Sequence, residues 1–155
     1  KPTNMVSQFV STHDVGLLGD LDFNFPEGTH AIGRLDKDSE GLLILSNDGK
    51  YIQRLSSPLK EKEKEYLVTV NKPITTEFIT LMGAGVEIMI CKTLPCYIVQ
   101  LSEFEFKIIL KEGKNRQIRR MCKALGYLVA RLIRIRIDTI FLDGLKPGEF
   151  REFKL

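Results

Sequence analysis

Three carboxylates within five residues are the densest chemistry in this chain. In Gly33-Arg-Leu-Asp-Lys-Asp-Ser-Glu-Gly41, Asp36, Asp38 and Glu40 alternate with Lys37 and Ser39, immediately before the apolar run Leu42–Leu45. Loops that feed a buried strand are held by a rigid scaffold, which is where a reacting group can be fixed. A glycosidase-like acid and base is one use for such a loop. Extended residues at i and i+2, however, sit only ~7 Å apart on one face, and nothing in the pattern keeps one carboxyl protonated. A calcium loop is excluded, because the apolar residues that follow do not supply the rest of the twelve-residue ligand pattern. His13 and His30 are the only histidines, far apart in sequence, and support neither a Ser-His-Asp nor a Cys-His arrangement.

The second concentration of chemistry is positive. Between Lys111 and Arg136 lie nine basic residues and one acid, whereas the rest of the chain carries 14 basic and 19 acidic residues. A mildly acidic body with one basic segment suggests contact with a polyanion, since Lys and Arg gain affinity by displacing counterions from phosphates.

The elements that must position these groups can be read from periodicity. The run 41–46 reads as a buried strand ended by an Asn-Asp-Gly turn, then a helix that Pro58 should close. Residues 60–64 are expected to be a hinge between subdomains of about 1–60 and 61–155. Tyr66–Val70 has strand composition, Thr75 or Thr76 can cap a helix stopping at Gly83, and strands are expected over 86–90, 96–101 and 104–110. In the last, Phe104, Phe106, Ile108 and Leu110 alternate with Glu105, Lys107 and Ile109.

A helix over 116–125, capped by Asn115 and stopped by Gly126, has Ile118, Met121, Cys122 and Leu125 on one face and Arg116, Arg119, Arg120 and Lys123 on the other. Its N-terminus, at the Gly113-Lys114-Asn115 turn, is expected to suit a phosphate. A strand over 129–137 sets Leu132, Arg134 and Arg136 against Ile133, Ile135 and Ile137, which predicts a second basic stripe and an irregularity at Arg131. Tyr66 and Tyr127 are candidates for stacking on bases. The order of elements points to an α+β fold, a mainly antiparallel sheet with helices packed on it in a split βαβ arrangement.

Size and composition bound the answer. A chain of 155 residues with 43% hydrophobic content supports one core and one domain. No apolar stretch approaches the ~20 residues of a membrane-spanning helix. Three cysteines, none in a zinc-like spacing, suggest neither a disulfide framework nor a metal and fit a cytoplasmic, reducing compartment. The chain opens on Lys1 without the pattern of an export leader.

The residues also carry a resemblance. Gly33-Arg-Leu-Asp-Lys-Asp-Ser-Glu-Gly-Leu-Leu-Ile-Leu-Ser-Asn-Asp-Gly49 closely resembles the aspartate motif of the RsuA-type pseudouridine synthases, which isomerise uridine in ribosomal RNA. Lys1-Pro through Gln8-Phe9 resembles the first motif of that family, Lys64-Glu-Tyr-Leu-Val68 its tyrosine motif, and Glu112-Gly-Lys-Asn-Arg-Gln-Ile-Arg-Arg-Met121 its arginine motif. The ending Leu145-Lys-Pro-Gly-Glu-Phe-Arg-Glu152 also fits, and the first motif is most like the large-subunit synthase E branch, which lacks a small N-terminal S4 domain.

The resemblance implies the pseudouridine synthase fold with ferredoxin-like subdomains, and a single catalytic domain without an S4 domain. It implies Asp36 as the catalytic aspartate, Tyr66 as the active-site tyrosine, Arg119 as the arginine pairing with Asp36, and Leu132 as an apolar wall of a pocket that Arg34 completes. Lys37, Lys64, Lys114, Asn115, Arg116, Gln117, Arg120 and Arg134 are the expected RNA contacts. The implied substrate is a uridine flipped out of a stem-loop of ribosomal RNA, large-subunit RNA first, bound by a monomer without cofactor or metal. Tyr127, Ala130 and Asp138 depart from residues common in relatives. Two other classes are weighed against this reading. A non-catalytic RNA-binding or ribosome-assembly module shares the basic segment but needs no Asp36, Tyr66 and Arg119 together. A nucleoside hydrolase needs the carboxylate but not the basic segment.

Overall fold

The computed structural model describes residues 1–154, with residues 57–60 described by their backbone course alone. A 3-10 turn at Leu18–Asp20 is followed by β1 (His30–Ile32), β2 (Glu40–Gly41), β3 (Ile44–Ser46), α1 (Gly49–Glu61), β4 (Lys64–Val70) and α2 (Thr76–Ala84). Then come β5 (Glu87–Ile88), β6 (Cys91–Lys92), β7 (Tyr97–Gln100), β8 (Glu105–Leu110), α3 (Gln117–Ala124), β9 (Val129–Ile137) and β10 (Ile140–Phe141).

The main sheet runs β10-β9-β4-β8-β7, antiparallel throughout, with β2 added to β9 in parallel. Within residues 64–137 the strand order β9-β4-β8-β7, with α2 and α3 as the connecting helices, is the ferredoxin-like split βαβ arrangement. It is seen once. The residues before it form a two-stranded β1–β3 ladder next to α1. The α+β expectation holds, but the strand expected over 86–90 stands apart from the sheet, as a two-residue ladder of β5 with β6.

The sequence explains most of these elements directly. Alternation in β8 buries Phe106, Ile108 and Leu110. Thr75 caps α2 by accepting a bond from the Phe78 amide at 3.0 Å, and Asp48 caps α1 by accepting from the Lys50 and Tyr51 amides. In α3, Ile118, Met121 and Cys122 are buried against the sheet. The larger core joins Val68, Phe78, Met82, Phe106, Ile108, Met121 and Leu132, while a smaller one joins Ile32, Leu42, Ile44 and Ile137. Tyr127 belongs to the larger core, its ring 4.3 Å from Phe78 and its hydroxyl donating to the Pro73 carbonyl at 2.9 Å.

Several local expectations need correction. Helix α1 runs past Pro58 to Glu61, so the missing proline N–H does not end it, and only Lys62 and Glu63 separate it from β4. Arg116, not Asn115, is the N-cap of α3; it has left-handed backbone angles (φ 49°, ψ 38°). The Asn115 side chain instead accepts a bond from Arg120 at 2.9 Å.

The expected arginine stripe on β9 is broken. Glu65 lies opposite Arg136 and Tyr66 opposite Arg134, so Ile135 is an extra residue bulged out of the ladder. Adjacent residues of β4 face opposite ways, and the two arginines are therefore sent to opposite faces of the sheet. A second irregularity skips Ala130, beside Arg131, where the sequence predicts one.

Candidate active site

Residues 33–42 are fastened at nearly every turn. The amide of Leu35 donates to Ser7 Oγ at 3.0 Å, and that hydroxyl donates to the Leu35 carbonyl at 2.9 Å. Ser39 N–H closes a turn onto the Asp36 carbonyl at 3.0 Å. Gly41 N–H reaches the Lys1 carbonyl at 3.0 Å, and Leu42 N–H reaches the Arg134 carbonyl at 2.8 Å. The parallel step of β2 on β9 brings the two backbones so close that a Cβ on Gly41 (φ 113°) would sit 2.3 Å from the Arg134 carbonyl oxygen. Lys1 Nζ adds bonds to the carbonyls of Pro2 and Met5 at 2.8 and 2.6 Å. Burial pushes that ammonium down to about 8, against the opposing pull of Asp38, Asp36 and Glu40.

The three carboxylates have different fates. Arg116 grips Asp38 through two nitrogens at 3.0 and 2.8 Å, and this bond holds the Asp38 carboxyl below its ordinary range. Glu40 is buried and ion-paired with Arg131. Asp36 keeps its carboxylate without a hydrogen-bonding side chain among the described residues; its nearest guanidinium is Arg116, at 3.6 Å, and its side chain is 38% exposed. The left-handed Arg116 is thus what carries the start of α3 onto this loop.

Arg119 reaches the loop as well, but not at Asp36. Its Nη2 donates to the Asp38 carbonyl at 2.9 Å and to Ser39 Oγ at 3.2 Å, and its Nη1 lies 3.5 Å from the Asp38 carboxylate. The expected direct pair with Asp36 is replaced by a grip on the turn that follows it. Arg119 Nε is buried with no acceptor among the described residues. Burial lowers the proton affinity of this guanidinium, and the Asp38 charge partly restores it.

Tyr66 packs on the larger core opposite Arg134 in the β4–β9 ladder, one step along from the Val68–Leu132 pair. Leu132 is a buried core residue there. Arg34 and Lys37 of the loop are exposed, as are Asn115 and Arg116, the last of them paired with Asp38. Three residues expected to touch RNA are not at the surface. Lys64 and Arg134 are buried in the central strands, and Gln117 is buried at the start of α3. Gln117 bonds Glu112 at 2.7 Å and accepts from the Lys114 amide at 3.1 Å. Lys114 is itself ion-paired with Glu112 at 2.7 Å, and Arg120 is folded onto Asn115.

Ser7, Ser39 and Asp38 are the positioning groups that residue-by-residue reasoning passes over. Their signal is only that small hydroxyls and a second acid border the aspartate. Among the described residues no cluster of three or more ligating side chains could hold a metal. A cavity of about 640 Å³, lined by Phe23, Phe25, Leu42, Ile133 and Leu142 among others, does not include Asp36, Tyr66 or Arg119 in its walls.

Comparison with known proteins supplies the family. The chain is 46% identical to the dual-specificity RNA pseudouridine synthase RluF of Salmonella typhi, over 98% of this chain and 52% of that one. It is 36% identical to the ribosomal small subunit pseudouridine synthase A of Vibrio cholerae, over 97% of this chain and 67% of that one. The chain therefore spans about half the length of the RluF relatives it matches. A crystal structure of a pseudouridylate synthase superposes with a TM-score of 0.86 at 31% identity, covering 99% of this chain and 67% of that one. The archaeal Nop10-Cbf5 complex, at 21% identity and a TM-score of 0.53 over 72% of this chain and 39% of that one, shares the fold. These relatives carry the names of branch F and of the small-subunit enzyme, so they uphold the RsuA-type group without singling out branch E. With residues 1–124 matched by the family profile described as RNA pseudouridylate synthase, the chain belongs to that family, within its RsuA-type group.

Proposed function

We propose that this chain is the catalytic domain of an enzyme that isomerises a uridine of ribosomal RNA to pseudouridine, with Asp36 as the reacting carboxylate. The observation that carries this reading is the sorting of the acidic loop. Asp38 and Glu40 each take a close arginine, while Asp36, held through its main-chain carbonyl, keeps a partly exposed carboxylate without such a bond among the described residues, 3.6 Å from Arg116. The names of the relatives support the same reaction class.

In the reaction, the bond from ribose C1′ to uracil N1 breaks, the base turns, C1′ bonds to C5, the C5 hydrogen leaves as a proton, and N1, released from the sugar, ends with a proton in its place. Nothing is oxidised, reduced or consumed. An ionised Asp36 is needed whether it bonds to the sugar or removes a sugar proton, and the Arg116 guanidinium stands 3.6 Å from that carboxylate. Tyr66 offers a flat ring for the uracil and a hydroxyl for proton traffic at C5, with Leu132 as the apolar wall beside it. Arg119 holds the turn after Asp36.

Such a base is hidden in its stem-loop and must swing out, with the exposed Arg34, Lys37, Asn115 and Arg116 meeting flanking phosphates. Large-subunit RNA is the substrate we favour. The enzyme acts as a monomer in the cytoplasm, where its three free cysteines stay reduced; no helix among the described residues is long and apolar enough to cross a membrane. We also take residues 1–60 and 61–155 as two subdomains of this one catalytic domain.

The test is tritium release from unmodified ribosomal RNA labelled at uracil C5, with the wild-type chain and with Asp36→Asn. Release by the wild type and its loss in the variant, with RNA binding kept, is the expected result. Release undiminished in Asp36→Asn would refute the assignment, and binding without any release would favour an assembly module.

A further inference from the structure

Arg134 is the least expected residue in this site. It lies mid-strand in β9, only 5% exposed, and no carboxylate is ion-paired with it among the described residues. A buried charge without a counter-charge is costly, and core stability does not account for keeping one. Its bonds suggest why it is there. Nε donates to the Leu42 carbonyl at 2.9 Å and Nη1 to the Arg34 carbonyl at 3.3 Å. Those carbonyls stand on either side of the Asp36 turn. The main-chain carbonyl of the same residue accepts from Leu42 N–H, so one residue binds the far end of the loop twice and the near end once.

A guanidinium presents its donors in one rigid plane, so the spacing between the two carbonyls is set by bond angles rather than by rotamers. A lysine ammonium is a single point on a flexible stem and imposes no such spacing. The third arm, Nη2, is buried with no acceptor in good hydrogen-bond geometry among the described residues, and the Tyr66 hydroxyl lies near the same guanidinium. Tyr66 is also its partner across the ladder, placed there by the bulge at Ile135.

We propose that Arg134 is a positioning residue that fixes the spacing between the Asp36 loop and Tyr66, rather than a contact to RNA phosphate. The proposal rests on the roles given to Asp36 and Tyr66 above. It assigns the fork a kinetic effect and the loop a measurable stiffness, and the two are read independently.

The experiment compares wild type with Arg134→Lys and with Arg134→Met, which keeps an unbranched stem of similar volume and removes the buried charge. Three quantities are read: binding of an unmodified ribosomal RNA stem-loop, the single-turnover rate of tritium release at saturating protein, and amide hydrogen exchange in the free protein. The expected result is RNA affinity within about twofold of wild type, a rate at least a hundredfold lower, and exchange at least tenfold faster at Ser39–Leu42 with β4 and β8 unchanged.

A rate within threefold of wild type would overturn the proposal. So would an affinity loss that accounts for the rate loss, which would return Arg134 to the phosphate contacts. Exchange raised uniformly through the sheet, or failure of both variants to fold, would make the residue merely structural and equally overturn it. If the wild type itself releases no tritium, the functional reading fails, while the exchange comparison still decides whether Arg134 holds the loop.

Discussion

Gly41→Ala adds one methyl group at a close backbone approach, where β2 meets β9. Two costs follow from the structure. The backbone there has φ 113°, a conformation that an L side chain resists by about 1–2 kcal/mol. The new Cβ would also stand 2.3 Å from the Arg134 carbonyl oxygen and 2.7 Å from its nitrogen, and backbone cannot step aside as a side chain tip can. The strands must part, which threatens the Leu42 N–H bond to Arg134 (2.8 Å) and the Arg134 Nε bond to Leu42 (2.9 Å). At about 1 kcal/mol for the first and more for the charged second, the expected loss is about 3–5 kcal/mol of unfolding free energy by urea titration.

Two controls separate the contributions. Gly33→Ala has φ 77° but no atom within 4 Å of the added methyl, so it should cost only the conformational share. Gly85→Ala has φ 97° and meets the Thr93 carbonyl oxygen at 2.3 Å, so it should cost about as much as Gly41→Ala. Only Gly41→Ala should lower the single-turnover rate measured under conditions where all variants are folded. A Gly41→Ala protein within 1 kcal/mol of wild type, or a Gly85→Ala protein with the same rate defect, would refute the reasoning.

Three further outcomes are expected. The Asp38 carboxyl is held low by its bond from Arg116, so its stabilising effect is complete above about pH 4 and fades as pH falls through the lower folded-state value. With a side chain 45% exposed it is worth under ~1 kcal/mol, and Asp38→Asn should flatten the acid limb of a urea-midpoint series by no more than that. RNA binding should show a slope of log affinity on log salt near −3, about four phosphates met by exposed cations such as Arg34, Lys37, Arg116 and Lys123; a slope twice as steep would refute so small a footprint. Burial pushes the Cys122 thiol up to about 12, whereas Cys91 is exposed, so peptide mapping after iodoacetamide treatment of native protein should find Cys91 modified first and Cys122 spared.

What the sequence reveals here depends on distance along the chain. Alternation in 105–110 and the apolar face of 118–122 are local patterns, and the strand over 129–137 and both helix caps by Thr75 and Asp48 follow from local rules. The basic segment is different. Its charge looks like a surface when read linearly, yet acids from far upstream meet much of it in space. Glu40 takes Arg131, Glu63 and Glu65 take Arg136, and Asp38 takes Arg116.

Parity fails for the same reason. The bulge at Ile135 depends on how β9 matches β4, some seventy residues earlier, and without it Arg134 would share a face with Arg136. In the candidate site, the aspartate loop is visible as a cluster of acids. Which acid lacks a hydrogen-bonding arginine among the described residues depends on Arg116 and Arg131, whose reach no spacing rule encodes.

The two cores have unequal ancestry along the chain, and this bears on how the protein is made. Every buried member of the larger core lies between Val68 and Leu132, whereas the smaller core joins Ile32, Leu42 and Ile44 to Ile137. The stretch that holds Asp36 leaves the ribosome first but acquires its shape only against β9. At about 5–20 residues per second, it waits on the order of 5–20 s for that strand to be synthesised. Until then Leu42, Ile44 and the apolar side of α1 have one another but lack Ile137, Ile140 and Leu142. Pulse-labelling exchange during refolding should protect residues 64–137 before 33–42, and the reverse order would contradict it. Residues 33–46 are therefore synthesised well before the strand that completes their core, although in the finished fold 33–42 is firmly fastened.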